Sequence, residues 1–402
     1  MRPGRGGPRV GYTAVLRHRE FAWLVVAHTV VLLGTTVATV ALAVLVFERT
    51  ASPLLSSLTF ALGFTPYLLG GLLSARFERV PPRRLMICCD LFQGGAYGLM
   101  AIPGLPVPAL LALLGIGSVA APVFSGTRAG LLPAMLGDGE GFVLGRSILR
   151  LIAQTGQILG LAVGGALLLV VDARTAVLGV AGAYALSALL IRLGIADHRL
   201  PVARAEGGVD AARVLADPRR RRLLLLGWLV PMAAVAPEAL AVPYLVGLGL
   251  PAASAGLLLW AAPAGAVLGE VLTARLLRER GRVRAVVPLA ATVLLVPLAF
   301  AAQPPLPVAI AVLLLSSAGF GFSLGLDQRL MAVTPPELHR RTLTVSSAGL
   351  MFCQGLGFAL AGAAAELAAP HLVIPAISLL GLLALVLLRG AVTAPAASGA
   401  RG

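Results

Sequence analysis

The chain has 402 residues, 58% of them hydrophobic and only 12% charged, about half the charged share of an ordinary globular protein, so too few charges remain to coat several soluble domains. Its 32 basic residues are all Arg against 17 acids, a net charge of +15, but they fall between apolar runs and form no basic face interleaved with aromatics, which argues against a nucleic-acid partner. Cys88, Cys89, Cys353 and five scattered His have no metal-ligand spacing, and a chain without Lys has no phosphate loop, so no metal, no cofactor, no enzymatic chemistry and no ATP-driven pumping by this polypeptide is expected.

Residues 1–21 form a basic, Gly-rich segment. The apolar run at 22–46 is too long for the core of a signal peptide and lacks a cleavage site, so it reads as a retained membrane helix. Further runs of membrane-spanning length lie near 54–75, 85–103, 107–129, 146–171 and 174–193. An Arg-rich linker at 194–222 interrupts them, and six more runs follow near 223–246, 253–274, 285–302, 307–330, 343–367 and 371–388, before a tail at 389–402. Twelve spans of roughly 20 residues, with short connections, use the whole chain. The expected fold is an all-α integral membrane protein of twelve transmembrane helices, with one six-helix half at 22–193 and a second at 223–388.

Orientation follows from the positions of Arg. With the N-terminus cytoplasmic, the outer loops hold only Arg49 and Arg174, and the other 30 Arg lie on inner segments or inner helix ends. Basic residues concentrate on the cytoplasmic side of multi-pass proteins, and an odd helix count would mix the charges between sides. The chain is therefore expected in a bacterial inner membrane, in contact with the lipid bilayer, with both termini cytoplasmic.

The two halves repeat. Gly70-Gly71-Leu72-Leu73-Ser74-Ala75-Arg76 aligns with Gly269-Glu270-Val271-Leu272-Thr273-Ala274-Arg275 at an offset of 199, and Arg79 and Arg83 continue onto Arg278 and Arg282. Leu105-Pro106-Val107 and Leu306-Pro307-Val308 open the fourth and tenth runs at an offset of 201, and Arg128 matches Arg329 at the same offset. An even number of helices per half makes this a parallel repeat about an axis along the membrane normal, hence the expectation of pseudo-symmetric halves with substrate bound near the midplane.

Two local patterns add to this. The loop after the second run reads Ser74-Ala75-Arg76-Phe77-Glu78-Arg79-Val80-Pro81-Pro82-Arg83. In the fifth run Gly156, Gly160, Gly164 and Gly165 recur at helical spacing, and the eleventh has Gly355, Gly357 and Gly362; such stripes let a neighbouring backbone approach closely, whether for transport or for plain packing. With these patterns the sequence resembles the major facilitator superfamily (MFS) from about Phe21 to Arg389, in particular actinobacterial members similar to the enterobactin exporter and related drug:proton antiporters. The family's loop between helices two and three reads Gly, three residues, an acid, a base, one residue, Gly, then two bases. Glu78, Arg79 and Arg83 fit it, while Ser74, Pro81 and Pro82 depart. The resemblance implies a gating loop in which the Glu78 carboxylate meets the positive end of helix eleven, near Thr342, only when the inner side is closed; an Arg cluster that merely fixes topology is the alternative. The helix-five stripe resembles the family's antiporter motif, with Leu161 where the family has Pro. Many relatives carry an acid after the helix-one glycine, whereas this chain reads Leu33-Gly34-Thr35-Thr36, and Thr35 cannot carry a proton.

Ionisable residues at membrane depth are expensive unless paired or facing water, and so point to mechanism. Glu238 leads: it follows Pro237 near the middle of the seventh run, where the proline frees a carbonyl, and it is the candidate for proton exchange or substrate contact, a satisfied structural hydrogen bond being the alternative. Asp90 in the third run and Asp327 in the tenth read as charges near the inner face able to pair with Arg128 or Arg329. Gln154 and Gln157 in helix five and Gln354 in helix eleven offer uncharged hydrogen-bonding groups for a midplane cavity, or helix-to-helix bonds. Trp228, Trp260, Phe124, Phe322 and Phe352 are candidates to line an apolar site or to pack the bundle. The reading is a secondary active transporter, functional as a monomer, that exports small amphipathic or hydrophobic molecules against protons. An importer, an uncoupled facilitator and a non-transporting membrane sensor or partner subunit remain open.

Overall fold

The structure is a computed structural model that describes residues 15–64, 77, 80–137, 139–198 and 211–393. Glu78 and Arg79 of the gating-loop expectation lie outside the described residues, as do residues 199–210 of the linker and 394–402 of the tail. Among the described residues all regular structure is helical: twelve stretches follow the twelve apolar runs, and two short α-helices, Ala211–Leu215 and Gly390–Thr393, lie outside them. The twelve begin with α1 (Arg19–Thr50), α2 (Pro53–Phe64), α3 (Pro82–Met100), α4 (Val107–Ser118 with Ala120–Leu136), α5 (Glu140–Leu167) and α6 (Ala173–Gly194). Then come α7 (Pro218–Ala234, Ala236–Ala239 and Ala241–Gly247), α8 (Ala255–Leu259 with Ala261–Leu276) and α9 (Glu279–Leu295). The last are α10 (Leu306–Ala318 with Phe322–Ala332), α11 (His339–Ala365) and α12 (Pro370–Leu388). Ten of the twelve are long and apolar enough to cross a membrane. Of the other two, α2 is described over 12 residues, and α3 dilutes its apolar residues with Arg83, Arg84 and Asp90.

Proline and capping residues fix the starts. Pro53, Pro82, Pro218 and Pro370 each open a helix, where a missing N–H costs nothing. The Ser52 hydroxyl accepts the Leu55 N–H at 3.1 Å, and the Asp217 carboxylate accepts the N–H groups of Arg219 and Arg220 at 2.8 Å each, satisfying donors that would otherwise have no partner. In α7, Pro231, Pro237 and Pro243 recur every six residues, and the helix departs from α geometry at Val235 and Leu240. These breaks lie on either side of Glu238.

The chain packs as two compact units, one of residues 1–38, 69–160 and 174–205, the other of 39–68, 161–173 and 206–402. In a bilayer, burying apolar side chains between helices gains little over burying them in lipid, so close packing and interhelical hydrogen bonds hold such units together. In the first unit Phe21, Leu24, Met86, Leu131, Leu132, Ile148 and Ile191, from α1, α3, α4, α5 and α6, form one apolar cluster. Above it Gly156 and Gly160 of α5 seat against Leu32 and Thr36 of α1, so these two positions of the glycine stripe serve helix packing.

In the second unit Leu223, Leu226, Val230, Val286, Val293, Leu294, Phe322, Leu326 and Leu385 join α7, α9, α10 and α12. Gly265 and Gly269 of α8 face the backbone of α10. The segment 161–173 packs here through Gly165, which meets Gly256 of α8, and α2 packs along α11. The units thus do not coincide with the two sequence halves, because small residues in α5, α8 and α11 let segments of the first half pack against the second.

The repeat-related Arg83 and Arg282 make related but not equivalent contacts. Arg83 donates to the Arg192 carbonyl at the end of α6, and its repeat equivalent Arg282 donates to Ala274 and Leu277 at the end of α8, at 2.7 and 2.9 Å. Each guanidinium neutralises carbonyls at a helix C-terminus, but on helices that are not equivalents of one another.

Candidate functional site

The second unit contains a cavity of about 280 Å³ enclosed by α7, α8, α10 and α11. Its apolar wall comes from Leu223, Leu224 and Pro231 of α7, Phe320, Phe322, Leu326 and Leu330 of the α10 region, and Leu343 and Leu350 of α11. Polar groups converge from three helices: Glu270 of α8, Ser323 and Asp327 of α10, and Ser346, Ser347 and Gln354 of α11. An apolar wall with a few convergent polar groups is the form of a small-molecule site.

Local structure explains the cavity. The α10 helix is interrupted by a 3₁₀ turn at Gly319–Gly321, which sets Phe320 and Phe322 at the site. Trp228 fixes the α7 wall: its indole N–H donates to the Ser346 carbonyl at 2.9 Å, and its ring lies so close to Gly349 that a Cβ there would come 2.7 Å from Nε1. Trp228 is thus a tie between α7 and α11, while Phe322 lines the cavity. The sequence marked Asp327 and Gln354 as site candidates, and the fold brings both to this cavity together. It passed over Glu270 and the serine pair, for which the one signal was the alignment of Glu270 with Gly71 in the repeat, an acid gained at a small position.

Glu238 lies elsewhere in the same unit. The turn Ala236–Ala239 packs against α2, α11 and α12, and the Glu238 side chain is half-buried. Among the described residues no hydrogen bond or ion pair to it is present. A carboxyl at membrane depth without a fixed partner differs from the structural hydrogen bond weighed as its alternative. Arg329 is half-buried on α10.

In the first unit the polar groups are mostly spoken for. Asp90, 1% exposed, accepts the Ser187 hydroxyl at 2.6 Å. One turn on, Gln93 accepts the Tyr184 hydroxyl at 2.9 Å, so a two-rung polar ladder binds α3 to α6. Arg128 is half-buried on α4, and on α5 Gln154 is half-buried and Gln157 exposed, while Gly164, buried beside Gly165, belongs to the second unit. His28 of α1 has a buried Nε2 without a hydrogen-bond partner among the described residues. Thr342, the residue implied as partner of the gating loop, is fully buried in the second unit, and its hydroxyl has no hydrogen-bond partner among the described residues. No group of three or more metal-ligating side chains occurs among the described residues.

A family model described as Major Facilitator Superfamily matches residues 24–362. No match is found among curated proteins. Among solved structures, a mutant of the nucleoside transporter NupG aligns with a TM-score of 0.74 at 14% identity, over 94% of this chain and 99% of its own. A bacterial homologue of the human lysosomal transporter Spinster, inward-facing and occupied, aligns with a TM-score of 0.70 at 14% identity, over 96% and 97%. A D-xylose-proton symporter aligns with a TM-score of 0.63 at 15% identity, over 94% and 97%. At such identities the likeness is one of fold.

Proposed function

The chain belongs to the Major Facilitator Superfamily, and on that premise we propose that this membrane transporter exports small amphipathic or hydrophobic molecules against a proton gradient. The observation that carries the substrate class is the cavity of α7, α8, α10 and α11, whose Leu and Phe wall suits an apolar body and whose Asp327, Gln354 and serines suit one polar end. Proton coupling is supported by Glu238, a carboxyl in the interrupted helix α7 with no fixed partner among the described residues, free to exchange a proton as access alternates. Export is supported only by the resemblance of the helix-five stripe to the family's antiporter motif, and the Arg distribution supports an inner-membrane location with both termini cytoplasmic. The six-helix halves 22–193 and 223–388 are the bodies that rock, acting as a monomer.

Uptake into inverted vesicles containing the purified protein tests this. A panel of amphipathic compounds is expected to accumulate with an imposed proton gradient and to stop when an ionophore collapses it. With Glu238→Gln, gradient-driven accumulation is expected to fall at least about tenfold while equilibrium exchange persists. Unaltered accumulation by that variant removes Glu238 as the coupling group. Thr35 stands where many relatives carry an acid, which favours an uncoupled facilitator as the second reading; equilibration insensitive to the ionophore would establish it.

A further inference from the structure

One contact in the second unit brings a carboxylate to a seam built mainly of apolar and small residues. The α2 helix runs along α11 with Phe358 stacked on Phe60 and Phe64, ring centroids 5.2 and 5.6 Å apart. Ser57 is fully buried there, and a Cβ on Gly362 would come 2.9 Å from the Leu54 Cα. At the end of this seam, just past Arg49 in the chain, the Glu366 carboxylate reaches across from the end of α11. Its Oε1 accepts the Ser52 hydroxyl at 2.5 Å and the Leu54 N–H at 3.0 Å. Ser52 is also the residue whose oxygen accepts the Leu55 N–H. Glu366 therefore completes the N-terminal cap of α2 from another helix, placing a negative charge at the positive end of the helix dipole. The turn that presents Ser52 holds Ala51 at φ 51°, a left-handed conformation that costs an Ala roughly 1–2 kcal/mol, so the surrounding contacts hold it in place.

We propose that Glu366 is the latch of a gate at the Arg-poor ends of α2 and α11. The proposal rests on the alternating-access reading above. Apolar and glycine contacts let the two helices close tightly but have no sharp directional preference. The charge-assisted bonds from Ser52 and Leu54 are directional and are lost over a small displacement. They exist only while this end is shut, so they bias the protein toward the state closed here, and opening must exchange the carboxylate for water at the start of α2. Glu366 is not among the residues that line the cavity, and it acts on the balance of states, not on the cargo.

Thiol accessibility tests the latch without any substrate. In a background with Cys88, Cys89 and Cys353 changed to Ser, Ser57→Cys places a reporter in the closed seam of the full chain in proteoliposomes. Its rate of reaction with a membrane-impermeant maleimide added at the Arg-poor side reads how often the seam opens. Glu366→Ala and Ser52→Ala are each expected to raise that rate about fivefold or more, the scale of one modest hydrogen bond. Glu366→Gln, which keeps an acceptor and loses the charge, is expected to fall between. Rates within a factor of two of the Glu366 protein in both Ser52→Ala and Glu366→Gln overturn the latch, even if Glu366→Ala does not fold. Raised rates in a protein that moves none of the test compounds support the latch and count against the proposed cargo alone.

Discussion

Gly165 of α5 and Gly256 of α8 meet backbone to backbone, so close that a Cβ on Gly165 would lie 2.6 Å from the Gly256 carbonyl carbon. No rotamer change relieves such an overlap, because the atoms in the way are main chain. Gly256→Ala is therefore expected to cost about 1–3 kcal/mol, the usual scale of overpacking, and to lower the thermal unfolding midpoint of the detergent-solubilised protein. Gly95 of α3 is the contrast, since nothing lies within 4 Å of its would-be Cβ. Gly95→Ala is expected to hold or raise the same midpoint, with a stability gain of up to about 1 kcal/mol from helix propensity.

The α3–α6 ladder makes a second pair of variants informative. Ser187→Ala removes the hydroxyl donated to the buried Asp90, leaving a polar group without that partner at an expected cost of about 1–3 kcal/mol. Tyr184→Phe removes the Gln93 bond but keeps the ring stacked on Tyr97 at 5.7 Å, and is expected to cost about 1 kcal/mol. Thermal unfolding followed by intrinsic fluorescence checks the order, and equal losses would mean that Asp90 draws its support from elsewhere.

Trp228 links the wall of the cavity to its far side. Trp228→Phe keeps an aromatic ring against Gly349 but gives up the bond to the Ser346 carbonyl. The expected outcome is a stability loss of about 1 kcal/mol together with a several-fold rise in KM, as α7 and α11 lose their fixed spacing. A KM unchanged beside a lowered midpoint would confine Trp228 to packing.

Gln354 reports on the cavity itself. Gln354→Leu fills similar volume without the amide, and transport of a polar-headed substrate is expected to show a KM about tenfold higher, near the worth of one well-placed hydrogen bond to a substrate group, with no change in thermal midpoint. Substrate protection of a thiol introduced by Ser347→Cys offers an independent measurement of occupancy.

The fold was legible in the sequence because a bilayer imposes one strong rule, that spanning segments satisfy their own backbone in helices. Each apolar run had to become a helix, and the runs at 22–46 and 371–388 needed no tertiary information to be read as α1 and α12. Site residues carry no such rule. Asp327 and Gln354 stood out as polar residues in apolar runs, and so did Asp90, but nothing in the chain distinguishes an acid that faces a cavity from one that accepts a bond from Ser187, 97 residues away. Glu366 gave no signal at all, since an acid at the end of an apolar run is the ordinary composition of a helix terminus.

The sequence by itself determined the helices, their number and the two-fold repeat, all of which follow from local hydropathy and from self-comparison along one dimension. The tertiary structure alone decided what the glycines do. Gly156 and Gly160 meet α1, Gly165 meets α8, and Gly362 meets α2, although the helix-five stripe reads as one continuous feature. It also decided that Glu366 caps a helix 312 residues away in the chain. A side chain's partner is fixed by the packing of helices that are distant in sequence, and in a bundle of uniformly apolar surfaces that packing depends on small residues and single hydrogen bonds, which composition does not record.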